Sequence, residues 1–546
     1  MDDTQTPVVI VGGGPVGMVL AIQLDALGVP CVLVNTDTCT RRIPKGSTHN
    51  SRTMEHYRRL GIVDKIRMLG LPADDNTDVA FLTRLNGWEL ARLEMPSSSE
   101  KMRRVQNAGP TDQVPEPIHR ANQMYVETFL FEHVKTLRNV WLRYGWQCVD
   151  FNDTGDGVNV RIEEIASGKQ ETLRCGFLVG CDGGQSFVRR KLGIQYAGEK
   201  SLDQAFLGGR MVSTYLRAPE LYRCIRKRSF HYWVINPSMR SAIVTLDGAG
   251  DFLFWIQLRA SDEQPEDNEI VRAFRFGVGE DIGVEIIGRS LWTAGQALVA
   301  EKFGAGRVLL AGDAVHLFTP TGGFGMNTGI DDAANLAWKL AAVVQGWGGS
   351  KLLASYESER KPIAVRNTSA ARGLARSVGD VPVAPEIEEN SVQGAAARQK
   401  AGAFLSTFGE EFASLGVQLG ARYDGSDIVV TDGTSPPPDD PANYVPSACP
   451  GGRAPHLWLP DRTSLFDHFG RGFTLLRFGT GRSTESLESA ARARGIPLKV
   501  FDVPAPEGRD LYGRDLALIR PDQHVAWRGN RLPEDCLSVL ATVTGA

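Results

Sequence analysis

The chain has 546 residues, 42% of them apolar, which is enough for two or three domains with substantial cores and too many for one. Its 60 basic and 64 acidic residues give a formal charge of -4 and are scattered without long runs, so the pattern speaks against nucleic acid or an anionic membrane and for a small-molecule partner. No apolar run approaches the roughly 18 residues of a membrane span, the amino terminus lacks a basic cleavable leader, and the eight cysteines lie too far apart for a zinc site or a redox dithiol; a cytoplasmic protein with reduced thiols is expected.

From Pro7 to Val34 the sequence reads strand, glycine turn, helix, strand, a βαβ unit that implies a parallel sheet. The turn is Gly12-Gly13-Gly14-Pro15-Val16-Gly17, a G-x-G-x-x-G placed directly between strand and helix. There Gly12 allows a tight turn, Gly14 lets backbone amides approach a pyrophosphate, and Gly17 packs helix on strand. The acidic residue that normally ends the second strand and binds a ribose hydroxyl is replaced by Asn35, with Asp37 two residues on. This motif alone leaves FAD and NAD undistinguished.

Aromatic-rich β-like runs fill roughly 205–290, among them His231 to Ile235 and Phe252 to Ile256. A buried strand returns at Arg307 to Ala311, followed by a glycine-rich loop and a helix from about Asp331 to Gln345; a further helix is expected to end near Pro362. The stretch Thr434 to Pro441 carries four prolines and reads as a linker. Beyond it, strands near Phe473 to Phe478, Leu498 to Phe501 and Leu516 to Ile519, with a helix around Glu485 to Arg494, suggest a separate small domain.

The segment Gly306-Arg307-Val308-Leu309-Leu310-Ala311-Gly312-Asp313-Ala314-Val315-His316, continuing through Pro320-Thr321-Gly322-Gly323-Phe324-Gly325-Met326-Asn327 to Leu340, resembles the second FAD signature of single-component flavoprotein aromatic hydroxylases, the family of phenol and hydroxybenzoate hydroxylases. Leu178 to Arg189, with Asp182-Gly183 at its centre, resembles the family's Asp-Gly signature near FAD and the nicotinamide donor, and the tail resembles the thioredoxin-like domain of the phenol hydroxylase branch, without a Cys-x-x-Cys pair. The implied fold is α/β: a Rossmann-like FAD-binding domain in two pieces, 1–200 and 290–395, an inserted β-rich substrate domain, 201–289, a connecting segment and linker, 396–448, and a thioredoxin-like domain, 449–546.

The resemblance also implies a set of FAD contacts at Gly12, Gly14, Pro15, Gly17, Asn35, Lys45, Arg52, Arg120, Gln123, Asp182, Gly183, Arg189, Gly312, Asp313, Gly323, Gly325, Met326 and Asn327. Lys45 stands where many members carry arginine. In the family NADH or NADPH reduces FAD, dioxygen adds at flavin C4a, and the hydroperoxide delivers oxygen to an electron-rich phenol in a pocket that excludes water. Where some phenol hydroxylases have a basic aspartate, this chain has Ser47, so His49, His231 and Tyr232 become the candidates for the catalytic base or hydrogen-bond acceptor at the substrate phenol, and Pro320 is expected to line the active site. Trp233, Trp255 and Trp292 are expected to be plain core. A flavin-dependent reductase and a non-catalytic flavin- or ligand-binding protein are the alternatives; homo-oligomerisation, the identity of the phenol and the choice of nicotinamide stay open.

Overall fold

The computed structural model describes residues 5–40, 42–201, 206–258, 264–379, 381–409, 414–479 and 482–546. At its centre five parallel strands run in the order Val140–Tyr144, Cys31–Asn35, Gln5–Val11, Gln170–Gly180 and Val308–Leu310. These are near-continuous apolar runs because helices cover the sheet: Pro15–Ala26 and Phe324–Val344 pack against it and each other through Leu20, Leu24, Ile330, Ala333 and Leu340, all buried. The order places the first glycine turn beside the ends of Gln170–Gly180 and Val308–Leu310, where the other two signatures begin. A site is expected at such a switch in strand order.

The second sheet has seven strands, in the order Glu285–Ala294, Gly209–Arg217, Asp251–Gln257, Met239–Thr245, His231–Asn236, Val79–Leu82 and Glu89–Leu93. The last two come from far upstream, and Glu285–Ala294 runs past 289, so the sheet draws on more chain than the expected 201–289. One face packs on the helix Asp267–Val278 through Ile270, Phe274 and Val278. Alternation along His231–Asn236 therefore sends Tyr232 and Val234 to that helix and His231 and Trp233 to the opposite face.

The helix expected to begin near Asp331 begins at Phe324: Gly325 and Gly329 are poor helix formers and read as loop, yet Gly329 sits where the helix crowds Gly312 and Val16, and Gly325 lies against Phe318. Nor does the next helix stop at Pro362: Ser350–Gly379 continues through it. Pro362 forfeits one backbone bond, and burial of Tyr356, Ile363, Ala364 and Ala371 on both sides outweighs that loss.

The tail forms a four-stranded sheet, Leu498–Val503, Phe473–Phe478, Leu516–Ile519 and Val525–Gly529 in that order, the first pair parallel and the others antiparallel, with the helices Glu485–Ala493 and Cys536–Val543 packed together beside it. It is clamped to the domain of the central parallel sheet by buried charge. Arg453 binds Glu55 at 2.5 Å, and Arg520 and Lys339 each bind Glu359 at 2.6 Å. Arg360 in turn joins Asp331 and Asp332 on the buried face of Phe324–Val344. Among the described residues no helix is long and apolar enough to cross a membrane, and no cluster of metal ligands occurs.

Candidate active site

The glycine turn is built as its residues dictate. Gly12 adopts φ 114°, and a Cβ there would collide with the Cys181 carbonyl; a Cβ on Gly17 would collide with the Gly12 carbonyl. Gly14 differs, since nothing of the protein lies within 4 Å of where its Cβ would stand. It is also the N-cap of Pro15–Ala26 and provides no side-chain cap, so the first amides of that helix face open space.

This space is the end of a groove of about 280 Å³ lined by Gly12, Gly14, Pro15, Asn35, Lys45, Gln123, Asp182, Gly183, Asp313 and Met326, all expected contacts, and also by Asp37, Trp146 and Cys181. Asn35 partly serves the fold: its Oδ1 accepts the Gly13 amide at 3.0 Å. Asp182 Oδ2 accepts the Val188 amide at 3.1 Å, whereas its Oδ1 is buried without a partner, and burial raises this carboxyl above its ordinary range. An uncapped helix start, an open cradle at Gly14 and an orphaned carboxylate oxygen together suit a ligand with a pyrophosphate and a polyhydroxyl chain.

Lys45 lines the groove and also a second cavity of about 100 Å³, where it is joined by Ser47, Thr48, Arg120, Phe230, His231, Trp233, Trp255 and the turn Pro320 to Gly323. Thr48–His49 pairs with His119–Arg120, which brings the Arg120 guanidinium onto the Thr48 hydroxyl and 5.1 Å above the Phe230 ring. His231 stacks on Trp233 at 4.6 Å; burial, and after it Arg120, lowers its pKa to about 3. The Trp255 indole donates to Ser213 Oγ at 3.0 Å.

Of the four residues expected at the chemistry, His231 and Pro320 line this cavity. Tyr232 does not: strand alternation turns it into the helix-facing core, where its hydroxyl accepts the Ser229 amide at 2.7 Å. His49 is fully buried behind Thr48, 3.2 Å from the Ala121 carbonyl and 3.3 Å from the Tyr57 hydroxyl, and burial lowers its pKa to about 4. Several expected cofactor contacts also lie elsewhere. Arg52 points into the charged clamp, donating to Glu55, Gln523 and the Asp522 carbonyl. Arg189 donates to the Gly184 and Ala314 carbonyls and lies 3.8 Å above the Tyr196 ring. Asn327 uses its whole side chain to tie Thr48, Asn50 and Gly323 together. Gly17, Gly312 and Gly325 shape the walls without lining either cavity, while Arg120 and Gly323 line the aromatic cavity and not the groove.

Trp233 and Trp255, expected to be core, are cavity wall as well. Their strand spacing is the same in both roles. Gln418 also lines the cavity, from a segment with no motif; its Oε1 accepts the Ser51 amide at 3.1 Å.

Residues 5–371 match the FAD binding domain model, and residues 447–546 match the model of the aromatic-ring hydroxylase C-terminal domain. The chain belongs to the FAD-dependent aromatic hydroxylases, flavoprotein monooxygenases whose cofactor the groove fits. It is 33% identical to the FAD-dependent monooxygenase apdD of Emericella nidulans, over 98% of this chain and 90% of that one, and 29% identical to phenol 2-monooxygenase of a Pseudomonas species, over 99% and 92%. The structure of RebC with bound 7-carboxy-K252c superposes with a TM-score of 0.89 at 34% identity, covering 99% of both chains.

Proposed function

We propose that this enzyme hydroxylates a phenolic ring, using NADH or NADPH as reductant and dioxygen as the source of the oxygen atom. The observation that carries this reading is Lys45, which lines both the groove at the glycine turn and the cavity walled by aromatic rings. FAD, when bound, supplies the two-electron chemistry and activation of dioxygen that no side chain can provide.

The chain's own residues do the rest. The amides beyond Gly14 would hold the pyrophosphate, with Lys45 for charge, and Asp182 and Asp313 would accept from the polyhydroxyl chain. The turn Pro320 to Gly323 presents the amino end of a 21-residue helix, whose positive pole would favour negative charge on a flavin held there. Phe230, Trp233, Trp255 and Leu253 exclude water. Arg120 places a cation on the wall, which favours an ionised phenol and so raises electron density ortho and para to its oxygen. His231, neutral at physiological pH, hydrogen-bonds and orients the phenol without taking its proton.

The similarity to phenol 2-monooxygenase supports a phenolic ring. The test is oxidation of NADH and NADPH by the FAD-loaded protein across simple and fused-ring phenols under labelled dioxygen. Label in the product, coupled to substrate-stimulated oxidation, is expected; stimulation by no phenol would refute the reading.

A further inference from the structure

A third cavity, about 300 Å³ in volume, lies between the flavin domain and the tail and shares no lining residue with the groove or the aromatic cavity. Its three carboxylates are each already matched. Glu55 is held by Arg52 and Arg453, Asp467 by Arg58 at 2.7 Å, and Asp522 by Arg520 at 2.7 Å.

Two guanidiniums on the same wall are not matched. Arg59, from the flavin domain, donates to the Gly470 carbonyl at 2.6 Å, and Arg471, from the tail, to the Ala26 carbonyl at 2.5 Å; neither forms an ion pair among the described residues. Each guanidinium carries five N–H groups, so most of their donors meet no acceptor among the described residues. Burial, and next to it the charge of Arg471, lowers the pKa of Arg59 to about 10 against the opposing pull of Asp522. The carbonyl end of the helix Pro15–Ala26 explains one cation at Ala26, but not a second guanidinium repelling it. The carboxylates of the wall are thus engaged by other guanidiniums, while Arg59 and Arg471 have no ion-pair partner among the described residues.

The complement of such a wall is a group that only accepts and carries negative charge. We propose that this interdomain cavity binds a small organic oxyanion, a phosphate or carboxylate on a compact apolar body, with Arg59 and Arg471 as its charge partners. The volume is at the lower bound of about 300 Å³ for small-molecule sites, and Trp338, Phe466 and Phe469 supply apolar wall for the body of the ligand. Because the two arginines come from different domains, the bound anion bridges them and tightens the docking of the tail.

The experiment titrates FAD-loaded full-length protein with inorganic phosphate, phenyl phosphate and benzoate at constant ionic strength, reading heat of binding and the thermal midpoint. A saturable response is expected for at least one probe, weakened by at least about tenfold in both R59Q and R471Q, with flavin content and substrate-stimulated nicotinamide oxidation unchanged. Phenyl phosphate binding more tightly than phosphate identifies an organic phosphate, and benzoate binding most tightly a carboxylate. Arg471 is exposed, so R471Q folds even where R59Q does not. No saturable response to any probe overturns the proposal, as does a response undiminished in R471Q, which would mean an adventitious ion only.

Discussion

Replacing Glu359 by Gln removes the carboxylate that Lys339 and Arg520 share at 2.6 Å each. Glu359 is 1% exposed and both cations are buried, so water does not take its place. Opposite unit charges with centres about 4 Å apart attract by about 4 kcal/mol at an effective dielectric of about 20, and removing one partner of a buried pair costs about 3–5 kcal/mol because the other charge is stranded. Arg520 keeps Asp522 at 2.7 Å, which places E359Q near the low end, about 3 kcal/mol, with Lys339 the principal loser. Adding K339M removes the stranded ammonium and should restore at least about 1 kcal/mol. Burial alone would raise the Glu359 carboxyl, but Arg520 and Lys339 outweigh it and hold the group well below the usual carboxylate range. Its stabilisation is therefore complete above the unfolded pKa of about 4.3 and fades only as pH falls toward the depressed folded value. The assay is denaturant unfolding of the FAD-loaded protein at pH 5, 7 and 8, followed by flavin fluorescence and far-ultraviolet dichroism. Equal stability of E359Q and the parent, or a double variant no better than E359Q, would refute this account of the clamp.

Four buried histidines should make the protein acid-sensitive: burial lowers His49 and His456 to about 4 and His119 and His231 to about 3, so the unfolded chain, with histidines near 6.5, takes up protons first. Stability should fall below about pH 6.5 by up to about 1.4 kcal/mol per pH unit for each histidine, and a flat profile between pH 6.5 and 5 would contradict their neutral burial. Gly14→Val should weaken FAD binding by more than about tenfold while leaving the apoprotein's unfolding midpoint in place, whereas Gly17→Val, crowding the Gly12 carbonyl, should lower that midpoint sharply; calorimetric titration and thermal unfolding separate the two. Tyr232→Phe should cost about 1 kcal/mol through its lost bond to the Ser229 amide and leave kcat unchanged, while His231→Ala should raise KM; a loss of kcat in Tyr232→Phe would return that residue to the chemistry.

The parallel core was legible because its signal is local: apolar strands, a glycine turn and helical spacing between Pro7 and Val34 lie within one βαβ unit. The tail strands Phe473–Phe478 and Leu516–Ile519 have the expected bounds for the same reason. Side-chain direction was not legible at the site. His231 and Tyr232 are adjacent and chemically eligible, and which one faces the cavity depends on which sheet face the helix Asp267–Val278 covers. Arg52 likewise resembles a cofactor contact by position in a motif, yet its partners Asp522 and Gln523 lie some 470 residues away, beyond the reach of spacing arguments. The wall tryptophans were legible as aromatics in strands and no further, since a ring packed on a neighbour and a ring facing a ligand leave the same pattern.

The two upstream strands in the seven-stranded sheet bear on how the molecule comes into being. Val79–Leu82 pairs in parallel with His231–Asn236, so on a growing chain it waits through about 150 residues of synthesis for its neighbour. The central sheet is completed later still, because Gln170–Gly180 gains its outer partner only when Val308–Leu310 has emerged, and Glu359 meets Arg520 only near the end of translation. Contacts of such sequence separation fold slowly and leave strand edges exposed meanwhile. Yield of active enzyme should therefore respond to slower translation, lower temperature and chaperone supply more than to the amount of flavin, whose site is not complete until most of the chain has been made.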